Sequence, residues 1–220
     1  MGAATDFEHL VRGWAERFAR DRDLDRADLE QVSGLGARIE GSVLRCIAQG
    51  LVIVDDAGTF RLRRDPRDRD LNFLSAAGLE SGIPGPSRPT LNWEYFVKVA
   101  AYVELVEAGW PTSRLAFQTG ANNFVDVLVN RGDGTVPLVV EARWSGDELR
   151  RSIAMLGELS YERWRAPMSL DERKFAEWTR GAAAAERLWA LAPDHDEVYD
   201  IDHLHRVPRL VPGGRIPTPS

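Results

Sequence analysis

The N-terminal part of the chain has the hydrophobic periodicity of helices. One apolar stripe at helical spacing predicts an amphipathic helix over residues 5–20. The stripe consists of Phe7, Leu10, Val11, Trp14 and Phe18. Asp25 can cap a short helix that runs to about Val32, and a further stripe predicts a helix over 37–49 that ends at Gly50. We therefore expect three successive helices.

Two short apolar runs, at 51–54 and 59–62, follow the third helix and are separated by turn residues. This pattern predicts a β-hairpin. Three helices and a hairpin are the elements of a winged helix-turn-helix, in which the third helix contacts DNA. Arg38 and Arg45 lie on the polar face of that helix. We predict that these two arginines bind a nucleic acid substrate.

The charge of this module leaves a second interpretation open. Residues 1–64 contain ten arginines against eleven aspartates and glutamates. A free-standing DNA-binding domain carries a basic surface. The alternative is a winged helix that docks onto a partner or dimerises.

A change in composition predicts the domain boundaries. Residues 75–89 are rich in Gly, Ser and Pro, which predicts a linker over 71–90. The linker separates a winged-helix-like domain at 1–70 from a second domain at 91–206. Residues 207–220 are rich in Pro and Gly and are expected to form a flexible tail.

The second domain begins with the pattern of one helix and three strands. Apolar spacing predicts a helix over 92–108 and a strand over 114–118. Two β-branched runs around a turn at 132–134 then predict a hairpin. Each run contains one carboxylate in otherwise apolar surroundings, and these are Asp126 and Glu141.

The hairpin register is predicted to bring these two acids together. A two-residue type I′ loop at Asp133–Gly134 puts Asp126 directly opposite Glu141. Arg143 shares their face because side chains alternate along a strand. Two carboxylates about 5 Å apart repel each other unless a proton or a cation lies between them. The pair therefore favours a divalent metal bound by oxygen ligands.

A second interpretation of the hairpin involves no chemistry. It contains a Glu–Arg ion pair and a solvated aspartate. Apolar residues on both faces of the two strands argue instead for burial, where unpaired acids are costly.

The remaining elements complete a mixed α/β pattern. Capping-box sequences at 145–148 and 169–172 predict two more helices, the second running to 182–187. A last strand is expected at 188–192 or 198–201. The order of helix, three strands, helix and strand predicts a central mixed sheet flanked by helices.

Composition restricts the protein class. The chain has 220 residues, of which 44% are hydrophobic and 28% charged, as in an ordinary globular protein. Cys46 is the only cysteine, which excludes an internal disulfide, and no apolar run is long enough to span a membrane. We expect a cytoplasmic protein without membrane contact. The net charge of −6 restricts nucleic acid contact to local basic surfaces.

The acidic hairpin resembles the signature of the PD-(D/E)XK nuclease superfamily, which has the restriction-endonuclease-like fold. That signature is an Asp in one strand, a short turn, and Glu-X-Lys at the end of the next strand. Here it consists of Asp126 and of Glu141, Ala142 and Arg143. The segment 120–126 is also similar to the Asn-Glu-X-Asp variant of some defence-associated members, with Phe where those have Glu. The resemblance covers roughly residues 91 to 202 and implies an αβββαβ core.

The resemblance implies a metal site and catalytic residues. Asp126 and Glu141, with the carbonyl of Ala142, would hold Mg²⁺ or Mn²⁺. Glu94 on the first helix of the domain is a further candidate ligand, although an ion pair with Lys98 is the alternative. Catalysis would depend on both acids and on a residue that replaces the usual lysine.

That residue is Arg143. An arginine supplies fixed positive charge and a forked donor, but it cannot act as a base. Gln118 and Asn122, polar residues near strand ends, are candidates for positioning the substrate, and the alternative is that they only form turns.

These observations predict a metal-dependent nuclease that acts on DNA, in defence or mobile-element biology. We expect a homodimer or a subunit of a larger complex. One alternative is a catalytically inactive member of the fold that binds DNA or assists assembly. Another is a winged-helix regulator whose second domain senses a partner or ligand.

Overall fold

The protein is a mixed α/β structure made of two compact units, Met1–Val103 and Glu104–Ser220. The division falls inside one helix, Trp93–Glu107. The computed structural model describes residues 3–29, 32, 34–64, 69–77, 87–119, 125–165, 169–179 and 184–219. Asn122 and Phe124, two residues of the predicted signature, lie outside these ranges.

The first unit combines helices with two small antiparallel sheets. Strands β1, β2 and β3 form one sheet, and β4 pairs with β5 in the other. The elements are α1 (Ala3–Asp21), α2 (Gly36–Ala48), β1 (Val52–Val54), β2 (Thr59–Leu62), β3 (Leu71–Asn72), β4 (Leu74–Ala77), β5 (Arg88–Leu91) and the start of α3 (Trp93–Glu107).

Stacked aromatic rings form the core of the first unit. Phe73 lies between Phe60 and Phe96, with ring centroids 4.2 and 4.4 Å away. Trp14 of α1 stacks on Phe73 at 5.4 Å, and Phe7 meets Phe96 edge-on at 5.5 Å. The apolar stripe predicted for the first helix therefore packs into this core.

The second of the three predicted helices is absent from its described residues. Residues 25–29 are not helical. Asp25, expected to be a helix cap, instead accepts hydrogen bonds from the backbone N–H and the hydroxyl of Ser87, at 2.7 and 2.9 Å. The backbone N–H of Arg26 donates to the Ser87 carbonyl at 3.2 Å. A distant partner thus satisfies the groups that a local helix would have used.

The described parts of the predicted linker are paired strands. Residues 71–77 and 88–91 contain β3, β4 and β5. Leu74 pairs with Leu91, and both residues are buried. The expectation of a linker was wrong at these positions, because composition did not reveal three short strands.

The second unit is built on one six-stranded mixed sheet. The spatial order is β11-β10-β9-β8-β7-β6, in which β8 and β9 are parallel and every other neighbouring pair is antiparallel. The strands are β6 (Leu115–Thr119), β7 (Val125–Val129), β8 (Leu138–Ala142), β9 (Arg187–Ala192), β10 (His195–Asp202) and β11 (Arg209–Pro212). The two segments offered as alternatives for the last strand are therefore both strands.

The hairpin of β7 and β8 has the predicted register. The paired residues are Val127 with Val140, Leu128 with Val139, and Val129 with Leu138.

The loop of this hairpin differs from the predicted type I′ turn. Eight residues, 130–137, lie between the two strands, and the Arg131 N–H donates to the Thr135 carbonyl at 3.2 Å. A type I′ turn needs positive φ at both central residues. Gly134 has positive φ and Asp133 does not. Val136 forms a parallel bridge with Ala185, so the chain turns away from β7 before β8 begins.

Helices α4 (Gly146–Gly157), α5 (Tyr161–Arg165) and α6 (Leu170–Thr179) follow β8. Both predicted caps form. The Ser145 hydroxyl accepts from the Glu148 N–H at 3.4 Å. In the second box the Ser169 N–H donates to the Glu172 carboxylate at 2.6 Å, while the Glu172 N–H donates to the Ser169 hydroxyl at 3.3 Å.

The prediction that the last helix runs to 182–187 was wrong at its described end. Helix α6 ends at Thr179, Ala185 bridges Val136, and β9 begins at Arg187. The alanine-rich segment has high helix propensity, but its end is used in the sheet.

The C-terminal residues are ordered parts of the second unit, so the predicted flexible tail was wrong for 207–219. Strand β11 pairs with β10. The Trp110 indole N–H donates to the Pro217 carbonyl at 2.7 Å, and Trp110 is buried. These contacts compensate for the low hydrophobicity of the segment. Within the described ranges, none of the helices has the length and apolar character needed to cross a membrane.

Candidate functional site

One face of the six-stranded sheet contains both predicted acids. The β7–β8 ladder ends at Val127 and Val140, and the next residue on each strand is Asp126 and Glu141. The two residues are 2% and 4% exposed. The charge of Asp126 raises the pKa of the Glu141 carboxyl group. Both acids are therefore buried on neighbouring strands, next to the last paired residues of the hairpin.

Each acid lies in a strand that is apolar on both faces. All five residues of β8 are buried, and Asp126 has buried valines on either side. On the face of the acids, the sheet packs against Leu149 and Leu156 of α4 and Phe175 of α6. Burial of this kind excludes a solvated aspartate.

The Asp126 carboxylate also takes part in the backbone structure. Its Oδ2 accepts a hydrogen bond from the Ala142 N–H at 2.8 Å. The carboxylate thus satisfies a backbone donor just beyond the last paired residues of β7 and β8. This bond fixes Asp126 against the strand that contains Glu141.

Gln118 lies in the neighbouring strand beside Asp126. Phe117 pairs with Val127 and Thr119 with Val125, so Gln118 faces Asp126 in the register of β6 and β7. Gln118 is buried and has φ of +46°, which residues other than glycine rarely adopt. Such strained positions often occur where a protein holds a side chain in a particular direction.

Two cations meet on one oxygen of Glu141. The Arg143 guanidinium, through Nη2, lies 2.7 Å from Oε1, and the Lys174 ammonium lies 2.9 Å from the same atom. Arg143 follows β8 directly, whereas Lys174 comes from α6. The other carboxylate oxygen, Oε2, is buried without a hydrogen-bond partner within the described structure.

A third carboxylate, Asp171, completes the group. Its Oδ1 lies 3.1 Å from Arg143 Nη2, and its Oδ2 accepts from the Ser152 hydroxyl at 2.7 Å. We call Asp126, Glu141, Arg143, Asp171 and Lys174 the ion cluster. The cluster contains three acids and two bases, so it retains negative charge when all are ionised.

Burial raises the pKa of Glu141, and the nearby charge of Asp126 raises it further. Arg143 and Lys174 act in the opposite direction, and the pKa of Glu141 is about 7. A carboxyl group with this pKa exchanges a proton near neutral pH. A bound cation would replace that proton.

Comparisons were made with models of known protein families, with curated protein sequences and with solved structures. None of the three found a match to this chain. The chemistry of the site therefore rests on its own residues.

The residues of the ion cluster fit a hard divalent cation that keeps part of its water shell. Mg²⁺ is commonly held by one or two carboxylates and several waters. Asp126 and Glu141 are adjacent carboxylates, and Glu141 Oε2 is a buried oxygen without a partner in the described structure. Within the described ranges no group of three or more His, Cys, Asp or Glu side chains is arranged to hold a metal. A site with few protein ligands suits Mg²⁺ or Mn²⁺ better than a structural zinc.

The other predicted site residues belong to the first unit or lie outside the described ranges. Arg38 and Arg45 are exposed on α2, and Arg45 donates to the Ser42 hydroxyl at 3.1 Å. Glu94 lies on α3 in the first unit, 3.3 Å from Lys98, so it forms the ion pair that was its alternative role. Asn122 is outside the described residues.

Sequence patterns missed Lys174, Asp171 and Ser152. All three lie on helices outside the acidic hairpin, Ser152 on α4 and the other two on α6. Asp171 is 28 residues from Arg143 along the chain, and Lys174 is 33 residues from Glu141. One available signal was that Lys174 is one of two lysines in a chain whose other basic residues are arginines. The capping box at Ser169 also fixed the start of the helix, and hence the positions of Asp171 and Lys174 on its first turns.

Proposed function

We propose that this protein is a metal-dependent nuclease of the PD-(D/E)XK type that cleaves phosphodiester bonds in DNA. The observation on which the proposal rests is the buried pair Asp126 and Glu141, with Arg143 and Lys174 on one oxygen of the pair. The order of α3, β6, β7, β8, α4 and β9, with β8 parallel to β9, supports it. Glu141 Oε2, which has no hydrogen-bond partner among the described residues, supports a cation site.

Asp126 and Glu141, with the carbonyl of Ala142, would hold Mg²⁺ or Mn²⁺. Such an ion, when bound, polarises a phosphate oxygen and lowers the pKa of a water molecule. Asp126 is oriented for this role by its bond from the Ala142 N–H.

Lys174 supplies the lysine that the Glu-X-Lys position lacks. It reaches Glu141 from α6, whereas Arg143 occupies the position that follows Ala142 in the chain. A lysine ammonium can donate a hydrogen bond to an attacking water or a phosphate oxygen, and a lysine can lose a proton. Arg143 provides permanent positive charge for the phosphate. The strained Gln118 would position substrate beside Asp126.

A cleavage assay tests the proposal. Supercoiled plasmid is incubated with the parent protein and Mg²⁺ or Mn²⁺, and with Asp126→Asn, which retains an oxygen that can accept from Ala142. We expect the parent to nick or linearise the plasmid and Asp126→Asn to be at least about a hundredfold slower, since cation binding contributes several kcal/mol. The control is Glu158→Gln, an exposed residue at the end of α4.

The second candidate function is a catalytically inactive protein of the same type that binds DNA or assists assembly. The observation that favours it is that Glu141 already has two cationic partners, which is also how a structural ion cluster is neutralised. DNA binding by the parent, without cleavage of DNA or RNA in either metal, would support this function and contradict the first.

A further inference from the structure

We infer that Asp171 is a positioning residue that sets the cation affinity of Asp126 and Glu141 by sharing the Arg143 guanidinium with Glu141 and offsetting part of its positive charge. The inference rests on the proposed cation site. It concerns a residue outside the acidic hairpin, on the first turn of α6.

Arg143 is shared between two carboxylates. Its Nη2 lies 2.7 Å from Glu141 Oε1 and 3.1 Å from Asp171 Oδ1. Both contacts are short enough for charge-assisted hydrogen bonds. The position of the guanidinium therefore depends on the balance between Glu141 and Asp171.

Asp171 is held in place from the side opposite Arg143. Its second oxygen accepts from the Ser152 hydroxyl of α4 at 2.7 Å. The capping box of Ser169 and Glu172 fixes the first turn of α6, from which Asp171 extends. An anchored carboxylate can hold a guanidinium at a defined distance, whereas a mobile one would follow it.

The location of the Arg143 charge matters because Glu141 has another cationic partner. Lys174 lies 2.9 Å from the same Glu141 oxygen that Arg143 contacts. Two positive charges beside one buried carboxylate repel an incoming divalent cation. The Asp171 carboxylate lowers that repulsion because it offsets part of the Arg143 charge. Without it, the full charge of Arg143 would act on Glu141 and compete with the cation.

A double-mutant cycle read by Mn²⁺ titration calorimetry tests this inference without any cleavage assay. The proteins are the parent, Asp171→Asn, Arg143→Gln and the double variant, each shown to be folded by circular dichroism. We expect Asp171→Asn to weaken Mn²⁺ binding about fivefold to tenfold and Arg143→Gln to strengthen it. In the Arg143→Gln background, Asp171→Asn should change the affinity less than about twofold.

The same loss in both backgrounds would overturn the inference, because Asp171 would then act only as a distant negative charge. Asp171→Glu, which keeps the charge, should retain affinity within about threefold of the parent. Ser152→Ala, which removes only the anchor, should also weaken Mn²⁺ binding, and it replaces Asp171→Asn in the test if that variant does not fold.

A parent that binds no Mn²⁺ would overturn the cation site and this inference together. A parent that binds Mn²⁺, with additive variants, would overturn the inference alone.

Discussion

The Glu141 carboxyl group shows how one buried side chain can depend on pH. In the folded protein its pKa is about 7, compared with an ordinary value of 4.5. Burial is the largest cause and the charge of Asp126 the second. Between pH 4.5 and about 7, the folded state therefore keeps a proton on Glu141 that the unfolded chain has already lost.

This difference predicts a stability that falls as pH rises from about 4.5 to about 7 in metal-free buffer. Between these values the unfolded state binds fewer protons than the folded state, so the free energy of unfolding decreases with pH. The total effect is on the order of 3 kcal/mol. Urea unfolding at several pH values should show this loss in the parent and not in Glu141→Gln. If the stability of the two proteins changed with pH in the same way, Glu141 would not be the group responsible.

Lys174 contacts Glu141 in the structure, and the sequence did not predict this contact. We expect Lys174→Met to destabilise the fold by less than the roughly 3–5 kcal/mol typical when a buried charge loses its only partner. Arg143 still contacts Glu141, and Glu141 can take up a proton.

The matched control is the double variant Lys174→Met with Glu141→Gln. Because the double variant removes both partners of the Lys174–Glu141 ion pair, its loss of stability should be smaller than the sum of the single losses. Chemical denaturation measures all three variants. Strictly additive losses would show that Lys174 and Glu141 do not interact in the folded protein.

Among the elements, helix α6 is short, but it supplies two residues of the ion cluster. Asp171 and Lys174 lie on its first turns, and the capping box of Ser169 and Glu172 fixes where those turns begin.

We expect Ser169→Ala to lower stability by about 1 kcal/mol and also to weaken cation binding. Ser160→Ala is the control, because the Ser160 hydroxyl accepts from the Arg163 N–H at 3.1 Å at the start of α5. That variant should lower stability without changing Mn²⁺ affinity. If calorimetry gave the two variants equal Mn²⁺ affinities, the start of α6 would have no effect on cation binding.

The strands and caps were predictable because their signals are local. Centring the turn on Asp133 and Gly134 predicted the β7–β8 register even though the turn type was wrong, and Ser169 and Glu172 predicted the start of α6. The turn type was not predictable, since Val136 bridges Ala185, a residue far along the chain. The helix predicted to start at Asp25 does not form for the same reason, because Asp25 binds Ser87, which is far along the chain.

At the scale of the whole molecule, composition was a poor guide to order. Residues 207–219 have few apolar side chains, yet β11 completes the sheet and Pro217 binds Trp110. The site itself was predictable in part. Asp126 and Glu141 followed from one hairpin, whereas Asp171 and Lys174 depend on how α6 packs on the sheet, which no local pattern encodes.

Titration of the parent protein with Mn²⁺, by calorimetry, tests the central claim most directly. If Asp126 and Glu141 form a cation site, the parent and Glu158→Gln will bind Mn²⁺, and Asp126→Asn and Glu141→Gln will lose most of the affinity. The isosteric substitutions keep the side-chain volume, so a loss reports the missing charge. Absence of binding by the parent, or undiminished binding by Asp126→Asn, would contradict the account.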